Sequence, residues 1–185
     1  MAQDVRSIFV KFADRIDNLR TLQYHKDSET AKRIADESIS IYAPIAARLG
    51  LYGFKKTIET LSLRELDLDG YLHVTGELAH YTLEQEQFLT QSVRKIRTIL
   101  PEKYRETVTH RVKKPYSIYR KLKQNDVKSI RDIYDVFAIR IIVDDIGDCY
   151  SVLGKIHGNF IPISKRFTDF IAVPESNEYQ SLHTT

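Results

Sequence analysis

Apolar residues recur at helical spacing along the first hundred positions and give way to strand-like runs beyond them. Over 4–22, Val5, Ile8, Phe9, Phe12, Ile16 and Leu19 fall on one helix face. Ser28 is placed to cap a second helix, whose stripe of Ala31, Ile34, Ala35, Ser38, Ile41 and Ile45 ends near Leu49-Gly50. Pro44 lies inside that stripe and predicts a kink or a break. A third helix is predicted over 52–66, burying Phe54, Ile58, Leu61, Leu63 and Leu66. Asp67-Leu68-Asp69-Gly70 reads as a turn. A fourth helix over 76–100 turns basic at its end through Arg94, Lys95 and Arg97, where cations suit the helix dipole, and Pro101 stops it.

Beyond residue 100 the pattern changes. Thr107, Val108, Thr109 and Val112 predict a strand within 104–112, and 115–125 reads as a helix. The run from Val136 to Val143 is the strongest strand signal, nearly continuous in apolar and β-branched residues, and such runs usually lie mid-sheet. A further helix is predicted over 148–160, with shorter strands over 169–173 and 180–185. There is no internal repeat. The expected fold class is α+β: an all-α part over 1–100, then a mixed sheet with flanking helices over 101–185.

The composition of the 185 residues, 42% hydrophobic and 29% charged, fits a folded core and excludes a disordered chain. The single cysteine, Cys149, excludes a disulfide framework and a Cys-rich metal cluster, and fits a reducing, cytoplasmic setting. No apolar run reaches the roughly 18 residues of a membrane span, so no membrane partner is expected. The first residues lack the basic-then-apolar order of a signal peptide. The net charge of +3 names no partner, but its distribution is uneven. Residues 94–128 hold twelve Lys or Arg against Glu102, Glu106 and Asp126, a net of +9. That suits nucleotide phosphates or RNA, with a merely solvated surface as the plain alternative.

Within this stretch, Ser117 and Lys121 are four apart on a predicted helix and share its face. Arg111 and Lys113 are two apart on a predicted strand and point the same way. Cations converging on one spot suit a polyphosphate, whereas a DNA duplex prefers a spread-out stripe. Asp135, at the mouth of the strongest strand, is placed to hold Mg2+, or else to close a turn or an ion pair. Arg140 lies five residues on, which sets it on the opposite face of a flat strand unless a bulge or twist intervenes. Elsewhere the chain offers less. His25, His73, His80, His110 and His157 show no ligand spacing, and Tyr116, Tyr119 and Tyr134 read as packing residues. Cys149 reads as buried and inert, and Asp144-Asp145 as a strand end and helix cap.

Three segments together resemble the synthetase domain of the RelA/SpoT family: Arg111-Val-Lys113-Lys-Pro-Tyr-Ser117-Ile-Tyr-Arg-Lys121, Ile133-Tyr-Asp135-Val-Phe-Ala-Ile-Arg140 and Tyr179-Gln180-Ser181-Leu182-His183-Thr184-Thr185. Val10-Lys11-Phe12-Ala13-Asp14-Arg15 through Asn18-Leu19-Arg20-Thr21 resembles the last metal-binding helix of that family's HD hydrolase domain. The segment from Ile41 to Gly50 resembles the helix that follows it. The resemblance covers essentially the whole chain in the family's order.

The resemblance implies a nucleotidyltransferase-like sheet and a role in (p)ppGpp metabolism and the stringent response, as a GTP pyrophosphokinase. Pyrophosphate would pass from ATP to the 3′-hydroxyl of GDP or GTP. Arg111 and Arg140 would sandwich adenine, Lys113 and Lys121 would hold ATP phosphates, and Asp135 would hold Mg2+. Tyr179 would stack on guanine, and Asn177, Gln180 and His183 would contact the acceptor nucleotide, Gln180 close to the chemistry. A full-length relative or a ribosome-linked setting is the macromolecular partner it implies.

The sequence departs from the family pattern in places. Of the hydrolase metal set, which includes a His-Asp pair, only Asp14 is matched, and Asp17 stands where a histidine is usual, although Asn18 matches. The Mn2+ site is therefore not expected to form, and hydrolase activity is not expected. Arg166-Phe167-Thr168-Asp169 follows neither family version of the charged motif, Arg-x-Lys-Asp or Glu-x-Asp-Asp. Glu175 replaces a lysine usual before Asn177. A second carboxylate is expected on a strand after Thr185, so synthetase activity of these residues alone is expected to be weak or absent. A non-catalytic nucleotide-binding or interaction segment, and an RNA-binding module, remain the alternative readings.

Overall fold

The computed structural model describes residues 6–24, 27–124, 127–174 and 179–185. The helices are α1 (Arg6–Thr21), α2 (Ser28–Glu37), α3 (Ala43–Arg48), α4 (Tyr52–Leu66), α5 (Leu68–Ile99), α6 (Pro115–Gln124) and α7 (Ile146–His157). The strands are β1 (Thr109–Val112), β2 (Phe137–Arg140), β3 (Thr168–Asp169) and β4 (Leu182–His183). The fold is α+β. It divides into two compact units, each drawn from two stretches of chain: 1–80 with 114–133, and 81–113 with 134–185.

The first unit is helical. Its core joins Phe12, Leu19 and Leu22 to Ala31, Ala35, Ala43, Ala46 and Ile58. Four of these eight are alanines, which lets α2 and α3 approach α1 and α4 closely. The Phe12 ring meets Tyr42 at 6.2 Å and Phe54 at 5.6 Å, in the edge-on and tilted arrangements aromatic rings prefer. Leu66, expected inside, lies at the surface: it shares the face of Ile58 and Leu63 but is the last residue of α4, with no further turn beyond it to cover it.

The helix starts and stops differ in detail from the sequence reading. Asp27, not Ser28, caps α2, its carboxylate accepting from the Glu29 N–H at 3.0 Å. Pro44 causes no break. The turn before it widens into a π-helix over Ser38–Tyr42, and Pro44 then stands in the first turn of α3. Proline lacks the N–H that a continued α-helix needs, and a wider turn absorbs its ring without ending the helix. Gly50, at φ 70°, closes α3 with the Leu51 N–H on the Ala46 carbonyl at 2.8 Å. Residues 67–70 are not a free turn. Asp67 alone separates α4 from α5, and its carboxylate caps α5 through the Gly70 N–H at 2.8 Å.

In the second unit, Ile96, Leu100, Tyr104, Val108 and Val152 form the core, with Ile139, Ile141, Val143, Ile156 and Phe160 packed on it. The strand expected in mid-sheet is only four residues long, and β1 is its one neighbour among the described residues. Alternation explains this: Phe137 and Ile139 turn inward while Ala138 and Arg140 face solvent, so the run is half-buried. Asp145 caps α7 by accepting from the Asp148 N–H at 2.8 Å, well after β2 has ended. β3 and β4 pair antiparallel and are shorter than the strands expected there.

Tyr104 anchors this unit from a nearly buried position. Its hydroxyl lies against Asp148 and reaches Asp144 at 3.0 Å, and the Lys103 ammonium donates to Asp148 at 2.8 Å. Lys103 first and Tyr104 second hold the Asp148 carboxyl below its usual range. A lowered carboxyl contributes stability above its unfolded value of about 4, and loses it as pH falls through the folded value. Asp148→Asn is therefore expected to flatten the loss of melting temperature between about pH 5 and pH 2 relative to the parent chain. Thermal unfolding followed across that range checks it.

Candidate nucleotide-binding site

Most of the residues expected to hold nucleotides fall in the second unit, with Arg111, Arg140 and His183 on its two short ladders. In the first ladder Thr109 stands opposite Arg140, Arg111 opposite Ala138 and Val112 opposite Phe137. Residues opposite one another share a face, so Arg111 and Arg140 stand on the same solvent side of the hairpin. They are diagonal neighbours, which in a regular ladder are about 7–8 Å apart. Two guanidinium planes at that spacing can take one flat aromatic ring between them. The five-residue spacing from Asp135 to Arg140 needs no bulge, because Asp135 lies ahead of β2 and escapes the strand's parity.

The ladder continues one step through the Lys113 N–H, which donates to the Val136 carbonyl at 2.8 Å. That step brings Lys113 beside Asp135, whose Oδ2 accepts from Lys113 Nζ at 2.6 Å. The lysine side chain is only 12% exposed and the carboxylate 50%, so the ion pair opens to solvent on its acidic side. Among the described residues no group of three or more His, Cys, Asp or Glu could hold a metal ion by itself. Mg2+ needs only one or two carboxylates when substrate phosphates complete its octahedron, so Asp135 fits it as a single protein ligand.

Tyr134, beside Asp135, is exposed rather than packed, contrary to the sequence reading. The Arg166 guanidinium covers its ring at 3.8 Å. Nothing in the local pattern marks this pair, because a cation–π contact between distant segments leaves no periodicity. Cys149 is half-buried rather than buried, and burial pushes its thiol up.

The second ladder sets Thr168 opposite His183 and Asp169 opposite Leu182. It gathers three rings: Phe170 meets His183 at 5.0 Å and Tyr179 at 5.8 Å, and Tyr179 meets His183 at 5.9 Å. The Tyr179 hydroxyl lies 3.0 Å from His183 Nε2. Two residues expected at the acceptor nucleotide therefore adjoin, and Phe170, which the sequence reading missed, backs both. Alternation around 180–185 could have found it only with the β3 register in hand. Gln180 is exposed just before β4, while Asn177 and Glu175 lie outside the described residues. Asp169 is committed to its turn: its carboxylate accepts from the N–H groups of Ile171 (2.9 Å) and Ala172 (2.8 Å) and from the Tyr150 hydroxyl (2.9 Å). These bonds, the Ala172 N–H first, hold it below the usual carboxylate range.

In the first unit, Ser117 and Lys121 stand one turn apart on α6, half-exposed, while Ile118 beside them is fully buried. Asp14 on α1 accepts from Asn18 Nδ2 at 3.3 Å, one turn along.

The second unit thus carries a basic hairpin with two arginines on one face, a lysine–aspartate pair at its end and, on a separate ladder, an aromatic trio. The comparisons give the family these segments resemble. A family described as the region found in RelA/SpoT proteins matches residues 110–185, and an HD domain family matches residues 1–52. Over residues 110–185 the chain is thus similar to RelA/SpoT proteins. It is 42% identical over its whole length to a guanosine-3′,5′-bis(diphosphate) 3′-pyrophosphohydrolase of Spiroplasma citri, covering 25% of that protein. It is 41% identical to a GTP pyrophosphokinase of Myxococcus xanthus and 38% to a GTP pyrophosphokinase rsh of Brucella melitensis, again over its whole length and covering 24% of each. The chain thus spans about a quarter of the length of these curated relatives. No helix among the described residues is long and apolar enough to cross a membrane.

Proposed function

We propose that this chain supplies the ATP-side half of a (p)ppGpp synthetase site, the part that holds the donor nucleotide for pyrophosphate transfer to GDP or GTP. The observation that carries this reading is the placement of Arg111 and Arg140 on one open face of the β1–β2 hairpin, with Lys113 and Asp135 at its end. Adenine lies between the two guanidinium groups. Lys113 moves from Asp135 toward a phosphate oxygen, while Lys121, on α6 of the first unit, is a phosphate ligand by the family resemblance alone. Asp135 would hold Mg2+, which would supply charge neutralisation for the phosphates. The protein's own part is to orient and to compensate charge, since this chemistry asks little covalent help of it. Tyr179 and His183 serve the guanine nucleotide, with Phe170 fixing both rings.

The test is direct. The pure chain is incubated with labelled ATP, GDP or GTP and Mg2+, and products are separated from AMP. Formation of ppGpp or pppGpp that disappears in Asp135→Ala supports synthesis by these residues. Saturable binding of an ATP analogue without turnover, lost in Arg140→Ala, supports the non-catalytic nucleotide-binding reading. Binding of RNA that falls steeply with salt and is unchanged by Arg140→Ala, with no ATP affinity, overturns both.

A further inference from the structure

Helix α6 offers Ser117 and Lys121 on one flank, and its rotation decides where Lys121 points. At 100° per residue, Ile118 and Leu122 face inward, Ser117 and Lys121 occupy one side, and Tyr119 lies on the other. Tyr119 does not end in solvent. Its hydroxyl donates to Asp67 Oδ2 at 2.7 Å, while Asp67 Oδ1 accepts from the Gly70 N–H at 2.8 Å. Lys123, one turn along, places its ammonium 3.9 Å from the same carboxylate and 5.5 Å from the Tyr119 ring centre. A methyl group on Gly70 would stand 2.7 Å from Tyr119 Cε2, so the ring seats flush against the start of α5 only because residue 70 has no side chain. The single residue between α4 and α5 therefore serves two purposes: it caps one helix and grips another.

We propose that Asp67 and Tyr119 are positioning residues that fix the rotation and height of α6, so that Lys121 presents its ammonium to a nucleotide phosphate. The proposal deepens the reading of Lys121 as a phosphate ligand and rests on it. Burial, and then the Asp67 carboxylate, push the Tyr119 hydroxyl up to about 12, so the bond keeps its proton throughout the neutral range. The grip is therefore constant in neutral buffers and depends on geometry alone.

Tyr119→Phe removes the hydroxyl while leaving the ring and the α5 cap in place. Titration calorimetry with a non-hydrolysable ATP analogue and Mg2+ is expected to show binding weakened about tenfold by Lys121→Ala and about three- to tenfold by Tyr119→Phe. In the Lys121→Ala background, Tyr119→Phe is expected to add less than about twofold, because the two act through one contact. In Asp67→Asn the single amide oxygen can keep the Gly70 N–H while the amide N–H donates to the Tyr119 hydroxyl oxygen, so binding is expected to stay within about twofold of the parent. Hydrogen exchange at α6 amides should quicken in Tyr119→Phe while α1 amides stay unchanged. Parent-like affinity of Tyr119→Phe, with Lys121→Ala weakened, overturns the positioning role and leaves the phosphate reading standing. Effects of the two substitutions that simply add also overturn it. Unchanged binding in Lys121→Ala, or no analogue binding by the parent chain, overturns both.

Discussion

Phe12→Ala is expected to cost about 3–5 kcal/mol, a large fraction of the roughly 5–15 kcal/mol that holds a domain folded. Phe12 is 2% exposed and sits where three elements meet, its ring against Tyr42 on one side and Phe54 on the other. Its neighbours cannot close the gap. Ala31, Ala35, Ala43 and Ala46 have no side-chain length to move into the void, so the cavity persists and the full penalty is felt. Tyr42 would lose a packing partner while still carrying the Arg15 guanidinium 4.1 Å above its ring. Urea unfolding followed by circular dichroism checks this. A midpoint within about 0.3 M of the parent's would refute the packing argument.

The second large effect concerns charge. Lys113→Glu is expected to reduce affinity for an ATP analogue by more than about 100-fold, equivalent to roughly 2.8 kcal/mol. The substitution removes an ammonium that is 12% exposed and puts a second carboxylate next to Asp135. At an effective dielectric near 20, one unit charge about 4 Å from another is worth roughly 4 kcal/mol before screening, and reversal acts twice. Lys113→Met separates the contributions, since it removes attraction without adding repulsion, and it is expected to weaken binding about tenfold. Equal affinities for the parent and Lys113→Glu would show that the phosphates lie elsewhere.

Much of the helical part was legible because its signals are local. The helix over Tyr52–Leu66 follows directly from apolar spacing, and the basic end of α5 from its charges. What could not be read was set by tertiary contact. The fourth helix begins at Leu68 because Asp67 supplies a cap, and Gly70 is tolerated inside it because Tyr119 needs the space. The half-buried strand was misplaced in mid-sheet because apolar content alone does not report which alternate residues are covered. For the candidate site, residue types and spacing singled out Arg111, Lys113, Asp135 and Arg140. The shared face of the two arginines needed the register of the hairpin. Phe170 was missed, and Arg166 and Asp67 were read in other roles, because each acts through a partner in another segment of the chain.

The interleaving of the two units has a consequence for how the chain folds and can be divided. The polypeptide passes between them at 80/81, 113/114 and 133/134, so neither is a continuous segment. A cut at residue 100 would deprive the helical unit of α6 and separate Ile96 from Val152 in the other core. Such a layout raises contact order, since the cores close only after distant segments meet, and slower folding follows. The peptide bond between Lys113 and Lys114 carries one of these passages. A nick there would leave Lys113, which ends the ladder, and helix α6 on separate polypeptides.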